Sequence, residues 1–280
     1  EILRVHDGGY HDRIVAESAA GGGDAGGFTP FGQGSYEIAL LSAGGCMAAA
    51  DAVLDGTVDN VYALVRPPGH HSIAESGMGF CLFNNAAVAV KHMQETRGVG
   101  RVAMVDWDVH HGNGTQDVFY EDEQVTFFSA HRFPFYPGTG RKWETGRGKG
   151  LGATVNLPLE FGVSRKDYLT AFETALTISA DKSKPDLVII SAGFDAHAED
   201  PVGSLGLETE DFEPLTKLVQ QVAATHADGR LISMLEGGYH VERLADCVEL
   251  HLKSLLPLPA YRSGPVFHVR CRPVPHLIAS

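Results

Sequence analysis

The 280-residue chain carries 35 acidic against 22 basic side chains, a formal charge of −13, with 44% hydrophobic and 20% charged residues. That length suits one domain that buries enough surface to need no disulfide framework, and the acidic balance argues against a general nucleic-acid binder, which needs a basic stripe to displace phosphate counterions. Cys46, Cys81, Cys247 and Cys271 form no C-x-x-C pair, so neither a disulfide scaffold nor a thiolate zinc site is expected, and a reducing cytoplasm fits best. The chain opens on Glu1 without a basic-plus-apolar leader, and its most apolar stretch, Ile38 to Leu54, is interrupted by Ser42, Gly44, Gly45 and Asp51, so no membrane span is expected. Histidine is the compositional outlier, with 14 copies.

Short β-branched runs alternate with longer periodic ones. Ser35 to Asp55 reads as a helix with small residues on one face, and Asn60 to Arg66 as a buried strand. A helix from about Asn84 to Thr96 follows, then a strand from Arg101 to Trp107, a short helix around Gln116 to Tyr120 and a strand from Val125 to Ala130. After a Gly- and Pro-rich loop from Phe133 to Gly152, the segment ATVNLPL gives another strand. The series closes with helix Ser164 to Lys182, strand Asp186 to Gly193, helix Thr209 to Ala227, strand RLISMLEGG and helix Val241 to Leu256. Continuous apolar strands separated by helices predict a three-layer αβα fold with a mainly parallel sheet covered on both faces. Pro257 to Ser280, with five prolines and no helical period, reads as a tail.

In such a sheet ligands sit beyond the carboxyl ends of the strands. The residues that follow the strands are Arg66 to His71, Asp106 to Gly114, Ser129 to His131, Gly193 to His197 and Glu236 to His240, so several strands deliver His, Asp or Tyr to one edge. Asp108 and His110 are two residues apart on an extended chain and leave the same face. With Asp195 they make a two-Asp, one-His site with an open position, a donor set suited to zinc as Lewis acid and water activator; iron and cobalt share these donors. The tandem His70-His71 follows a rigid Pro-Pro-Gly turn and offers two imidazoles for acid–base work. Asp106 and Asn113 can each reach one of them, the carboxylate raising the pKa of its partner and the amide leaving its partner free to accept a proton. Tyr239, after two glycines, can donate to an oxyanion.

The motifs RPPGHHS (66–72), GFCLFNN (79–85), VDWDVHHGNGTQ (105–116), FYPGTG (135–140), SAGFDAHAEDPVG (191–203) and LEGGY (235–239) resemble those of the histone deacetylase superfamily, in particular class II-like enzymes and their bacterial relatives, over about Leu3 to Leu256. The resemblance implies the arginase/deacetylase α/β fold, with a catalytic domain at 1–256 and the Pro-rich tail at 257–280. It implies zinc on Asp108, His110 and Asp195, His71 as the base that activates water and later protonates the leaving amine, His70 with Asp106 as a positive charge, and Tyr239 as oxyanion donor. Phe80 and Tyr136 then wall the tunnel for the acylated lysine, the Gly79 carbonyl accepts the substrate amide N–H, and Asp24 sits at the rim. A structural potassium site falls on Asp106, Asp108, His110 and Ser129.

Three features depart from the family, one of them the Pro-rich tail after Leu256. Val202 is apolar where a polyamine-selective relative carries a glutamate. Catalytic domains of the family also begin some tens of residues earlier; if Glu1 is a true start, a first strand is expected to be lacking and its neighbour to have an open edge. The leading expectation is a zinc-dependent amidohydrolase acting on acyl-lysine in proteins. The alternatives are an acetylpolyamine or other small-amide deacetylase, a non-catalytic acyl-lysine-binding module or inactive fragment, and, more distantly, a dimanganese ureohydrolase.

Overall fold

A computed structural model describes residues 1–256. The expected tail at 257–280 lies outside the described residues. Six parallel strands form the central sheet: β3 (Asn60–Ala63), β4 (Val102–Asp106), β5 (Val125–Arg132), β6 (Thr154–Leu159), β7 (Leu187–Ala192) and β8 (Leu231–Leu235). Their spatial order is β3-β8-β7-β4-β5-β6, which makes β3 and β6 the edges. The strands alternate between two cores, as a period of two requires. Val102, Met104, Leu187, Ile189, Ile232 and Met234 face a core shared with α2 (Ser35–Leu54) and α3 (Asn85–Arg97). Ala103, Val105, Val188, Ile190 and Leu235 face the other, shared with α5 (Arg165–Ser183), α6 (Phe212–His226) and α7 (Val241–Leu255).

Local chemistry sets the helix ends. Asn84 accepts the Ala87 N–H at 3.0 Å to open α3, and Ser164 accepts the Asp167 N–H at 3.1 Å to open α5, each satisfying a donor that the first turn leaves free. By length and apolar content α2 could cross a membrane, yet Ala39, Ala43, Cys46, Ala49, Ala50 and Val53 form a buried stripe along it, so it serves as a core helix.

Most elements fall within three residues of expectation, and the differences are instructive. The strands expected to run to Arg66 and Gly238 end at Ala63 and Leu235, because the Pro-rich and Gly-rich segments beyond them leave the ladder and turn toward the site. The short helix α4 (Asn113–Phe119) starts three residues early and takes Asn113 with it. Helix α1 (Gly8–Ala19) and the ribbon of β1 (Gly22–Asp24) with β2 (Pro30–Gly32) were not anticipated: α1 opens on two glycines and buries only Tyr10, Ile14 and Ser18, a weak periodic signal.

Pairing is in register, so the end of β4 falls beside both neighbours: Asp106 lies beside Ser129 of β5, which continues to Arg132, and beside Ser191 of β7, which ends at Ala192. Everything that follows them starts from the same edge.

Candidate active site and metal centre

Asp108, His110 and Asp195 converge with ligand atoms within 4.8 Å of one another, all buried. His110 Nδ1 stands 3.1 Å from Asp108 Oδ1 and 3.0 Å from Asp195 Oδ2. The convergence is not that of an extended strand, as the sequence suggested. β4 stops at Asp106, and the chain bends so that Asp108 Oδ1 accepts the His110 N–H at 2.9 Å. Backbone donors fix both carboxylates, Val109 N–H on Asp195 at 2.8 Å and Gly237 N–H on Asp108 at 2.8 Å. A Cβ on Gly237 would sit 2.5 Å from an oxygen of each aspartate, so only glycine lets the chain pass this close. Burial and the neighbouring Asp108 push Asp195 up to about 7. Burial opposes charge on His110, but the two carboxylates around its ring nitrogen outweigh burial and hold it up at about 10, so this pocket favours positive charge, and hard oxygen with nitrogen donors fit a divalent metal.

The tandem histidines stand next to this cluster with their rings 4.0 Å apart. His70 Nδ1 lies 2.9 Å from Asp106 Oδ2. Burial opposes its charge, but Asp108, Asp106 and Glu236 outweigh burial and hold its pKa well above the usual imidazole range. His71 behaves oppositely: burial and the positive charge of His70 hold it well below that range. Its tautomer follows from its neighbour. Asn113 Nδ2 donates to the His71 carbonyl at 3.2 Å, so Asn113 Oδ1, 2.8 Å from His71 Nδ1, must accept a proton from it. Nε2 is left as the free base.

Above them opens a pocket of about 170 Å³ lined by Phe28, His71, Gly79, Phe80, His110, Phe135, Tyr136, Val202 and Tyr239. Three larger clefts, of about 630, 600 and 310 Å³, lie against α5 and contain none of the strand-end residues. Phe135 stacks on the His110 ring at 5.2 Å and 16°, Tyr136 meets His71 edge-on at 5.2 Å, and Phe80 meets Tyr239 edge-on at 5.7 Å. Burial and the Asp195 and Asp108 charges push the Tyr239 hydroxyl far above its ordinary range, so it stays a donor.

The histone deacetylase domain family matches residues 1–255. The chain belongs to that family. It is 44% identical over 242 residues to a histone deacetylase-like amidohydrolase of Pseudomonas aeruginosa, covering 85% of this chain and 63% of the relative. It is 42% identical over 245 residues to a probable deacetylase of Archaeoglobus fulgidus, covering 86% and 67%, and 44% identical over 243 residues to the human polyamine deacetylase HDAC10, covering 83% and 35%. The chain thus spans less than two thirds of the first of these relatives and about a third of the human one. Among solved structures, the crystal structure of the HDA15 HD domain superposes with a TM-score of 0.85 at 38% identity, covering 91% of this chain and 71% of that one. The sheet flanked by helices is therefore the histone deacetylase-like αβα fold.

Within this family member the structure brings together most residues expected at the site. His70, His71, Asp106, Asn113, Asp108, His110 and Asp195 form one connected cluster, and Gly79, Phe80, Tyr136 and Tyr239 line the pocket over it. Asp24 does not join them: its carboxylate turns back to accept the Gly26 N–H at 2.9 Å, on the loop that carries Phe28 to the mouth. The residues tied to potassium share the edge, where Ser129 Oγ is engaged with His131 Nδ1 at 2.9 Å. Sequence reasoning missed Phe28 and Phe135 as pocket residues, and two buried carboxylates that clamp the segments around the site. Glu236 accepts Gly69 N–H at 2.7 Å and His70 N–H at 3.1 Å, anchoring the tandem-histidine turn. Asp200 accepts Val202 and Gly203 N–H, both at 2.9 Å, and Tyr239 N–H at 2.7 Å, tying the pocket's apolar lip to its tyrosine. Both stood inside the recognised motifs, but nothing in spacing links a carboxylate to backbone donors far along the chain.

Proposed function

We propose that the chain is a zinc-dependent deacylase that hydrolyses the amide of an acylated lysine side chain, with acetyl the expected acyl group. The observation that carries the proposal is the buried Asp108–His110–Asp195 cluster beside a neutral His71, at the base of a narrow aromatic pocket. A divalent cation held by those three residues would supply Lewis acidity to the substrate carbonyl and to the attacking water. Aromatic walls suit a neutral methylene stem. His71 Nε2 takes the proton of the attacking water, while Asn113 holds Nδ1–H and so the tautomer. His70, charged and held by Asp106, stabilises the negative charge gathering at the reacting centre. Tyr239 donates its hydroxyl to the oxyanion. His71 then returns the proton to the leaving amine, releasing a carboxylate and the free lysine.

Likeness to a polyamine deacetylase keeps a small acylated amine as the second substrate. Val202, 42% exposed at the lip, gives the distal ammonium of such a chain no charged partner and favours lysine. The formal charge of −13 adds a general attraction for lysine-rich substrates. Among the described residues, Cys46, Cys81 and Cys247 are buried and form no disulfide, which supports a reducing, cytoplasmic setting.

The test is metal analysis of the purified chain beside hydrolysis of an acetyl-lysine peptide and an acetylated polyamine, each with and without a hydroxamate chelator. Chelator-sensitive release of acetate from the peptide is expected. Turnover of the polyamine alone would transfer the assignment to small amines, and bound zinc without turnover would leave an acyl-lysine-binding module.

A further inference from the structure

Five residues other than glycine take a positive φ among the described residues, and two of them are phenylalanines at one pocket: Phe28 at 64° and Phe80 at 69°. Left-handed backbone is unfavourable for any residue with a Cβ and more so for a bulky one. Each phenylalanine follows a glycine that is also left-handed, Gly27 at 39° and Gly79 at 51°. The two Gly-Phe pairs are fastened together. Gly79 N–H donates to the Gly27 carbonyl at 2.8 Å, and Phe80 N–H donates to Thr29 Oγ1 at 3.2 Å. Tyr136 donates its hydroxyl to the same Gly27 carbonyl at 3.4 Å. The loop also closes on itself, Ala25 N–H to Thr29 carbonyl at 2.9 Å, and is held to the 76–77 turn by Gly77 N–H on Ala25 carbonyl at 3.1 Å.

This clasp imposes the unusual backbone of Phe28 and aims its ring at the mouth, where it meets Tyr136 edge-on at 6.2 Å. Yet the residue remains 75% exposed. Folding gains little from a ring in water and loses from its backbone, so what Phe28 contributes must come when something covers it.

We infer that Phe28 is a substrate-contacting specificity residue: an outer aromatic clamp that packs on the lysine stem where it leaves the pocket and on the peptide main chain that bears it. The inference rests on the acyl-lysine reading above and sharpens it. A small acylated amine is held inside the pocket and meets Phe28 little, whereas a peptide must lie against it. Phe28 therefore biases the site toward acyl-lysine carried on a polypeptide.

The test compares Phe28→Gly and Phe28→Leu with the parent chain. Glycine accepts the left-handed backbone freely, so Phe28→Gly should melt no lower than the parent. It should raise KM for an acetyl-lysine peptide about 3- to 10-fold, the scale of one aromatic contact, with a clearly smaller rise for a short acetylated diamine. Phe28→Leu, which keeps the backbone strain and part of the apolar surface, should fall between. An unchanged peptide KM, an equal rise for both substrates, or a loss that follows a lowered melting temperature would overturn the role. If the parent hydrolyses neither substrate, the proposed activity fails separately, and binding of the same peptide by fluorescence anisotropy still decides Phe28. Weaker binding by Phe28→Gly upholds the clamp; equal binding, or no binding by either chain, overturns it.

Discussion

The carboxyl edge of the sheet and the layer between β8, α6 and α7 both bury imidazoles, and to opposite ends. His70 and His251 are 2% and 0% exposed, so burial does not distinguish them. His70 sits among Asp106, Asp108 and Glu236 and is held charged. His251 sits among hydroxyls and rings. It contacts Thr216 Oγ1 at 2.7 Å and Ser233 Oγ at 2.8 Å, with Tyr62, Trp107 and Phe194 packed edge-on or tilted around it. Burial without an acid holds it down at about 3. What marks a histidine for chemistry here is its charged company, which dehydrates together with it and makes each protonation state do different work.

The most severe way to break that company is to remove a carboxylate from the convergent cluster. Asp195→Ala should abolish both metal retention and hydrolysis, since a site with three protein donors has none to spare. Metal content by elemental analysis, measured beside acetate release, checks this; a metal-replete, active variant would refute the zinc assignment. A smaller effect follows where only a donor is lost. Tyr239→Phe should retain metal and fold, and lower turnover by about two to three powers of ten, the usual scale for one oxyanion donor. Unchanged turnover would remove Tyr239 from the chemistry.

Next in size is the contrast itself, made within one residue. Asp106→Asn replaces the nearest acid of His70 with an amide and leaves the shape of the contact. Turnover should fall about 10- to 100-fold, as for other partners that orient and charge a working imidazole. A variant as active as the parent would show that His70 acts without its carboxylate.

These contrasts also explain what could be read from the amino-acid sequence. Asp108, His110, Asp195 and the tandem histidines were readable because a parallel sheet delivers its strand ends to one edge, and the motifs name that edge by position. The capped helices α3 and α5 were readable because Asn84 and Ser164 act within three residues of themselves. Glu236 and Asp200 were not, since each works through backbone N–H groups that only the fold brings near, Gly69 from 167 residues away in one case and Tyr239 from 39 in the other. Phe28 was hidden for another reason: its role depends on a left-handed backbone set by the 76–80 turn, and no spacing rule encodes that.

The gentlest perturbation tests the other half of the comparison, the histidine without acids. Thr216 Oγ1 donates to the Phe212 carbonyl at 2.6 Å, so it must accept from His251 Nδ1–H, and Nε2 accepts from Ser233. Neutral His251 is thus fully satisfied, and an added proton has nowhere favourable to point. Its folded pKa of about 3 lies below the ordinary imidazole value of 6.5. Above that value the residue is neutral in both states and its contribution to stability is complete. As pH falls from 6.5 toward 3 the unfolded chain takes up a proton that the folded chain refuses, so stability declines with a limiting slope of roughly 1.4 kcal/mol per pH unit for one such group. His6 and His131, both held down at about 4 by burial, His111 at about 2 and His71, held well below the imidazole range, add further protons of the same sign over this range. Urea unfolding at pH 7, 6 and 5 should show the decline, and His251→Gln, which can still bond both hydroxyls without titrating, should flatten it by about one proton's worth. An identical slope in that variant would mean that His251 is not the group the unfolded chain protonates.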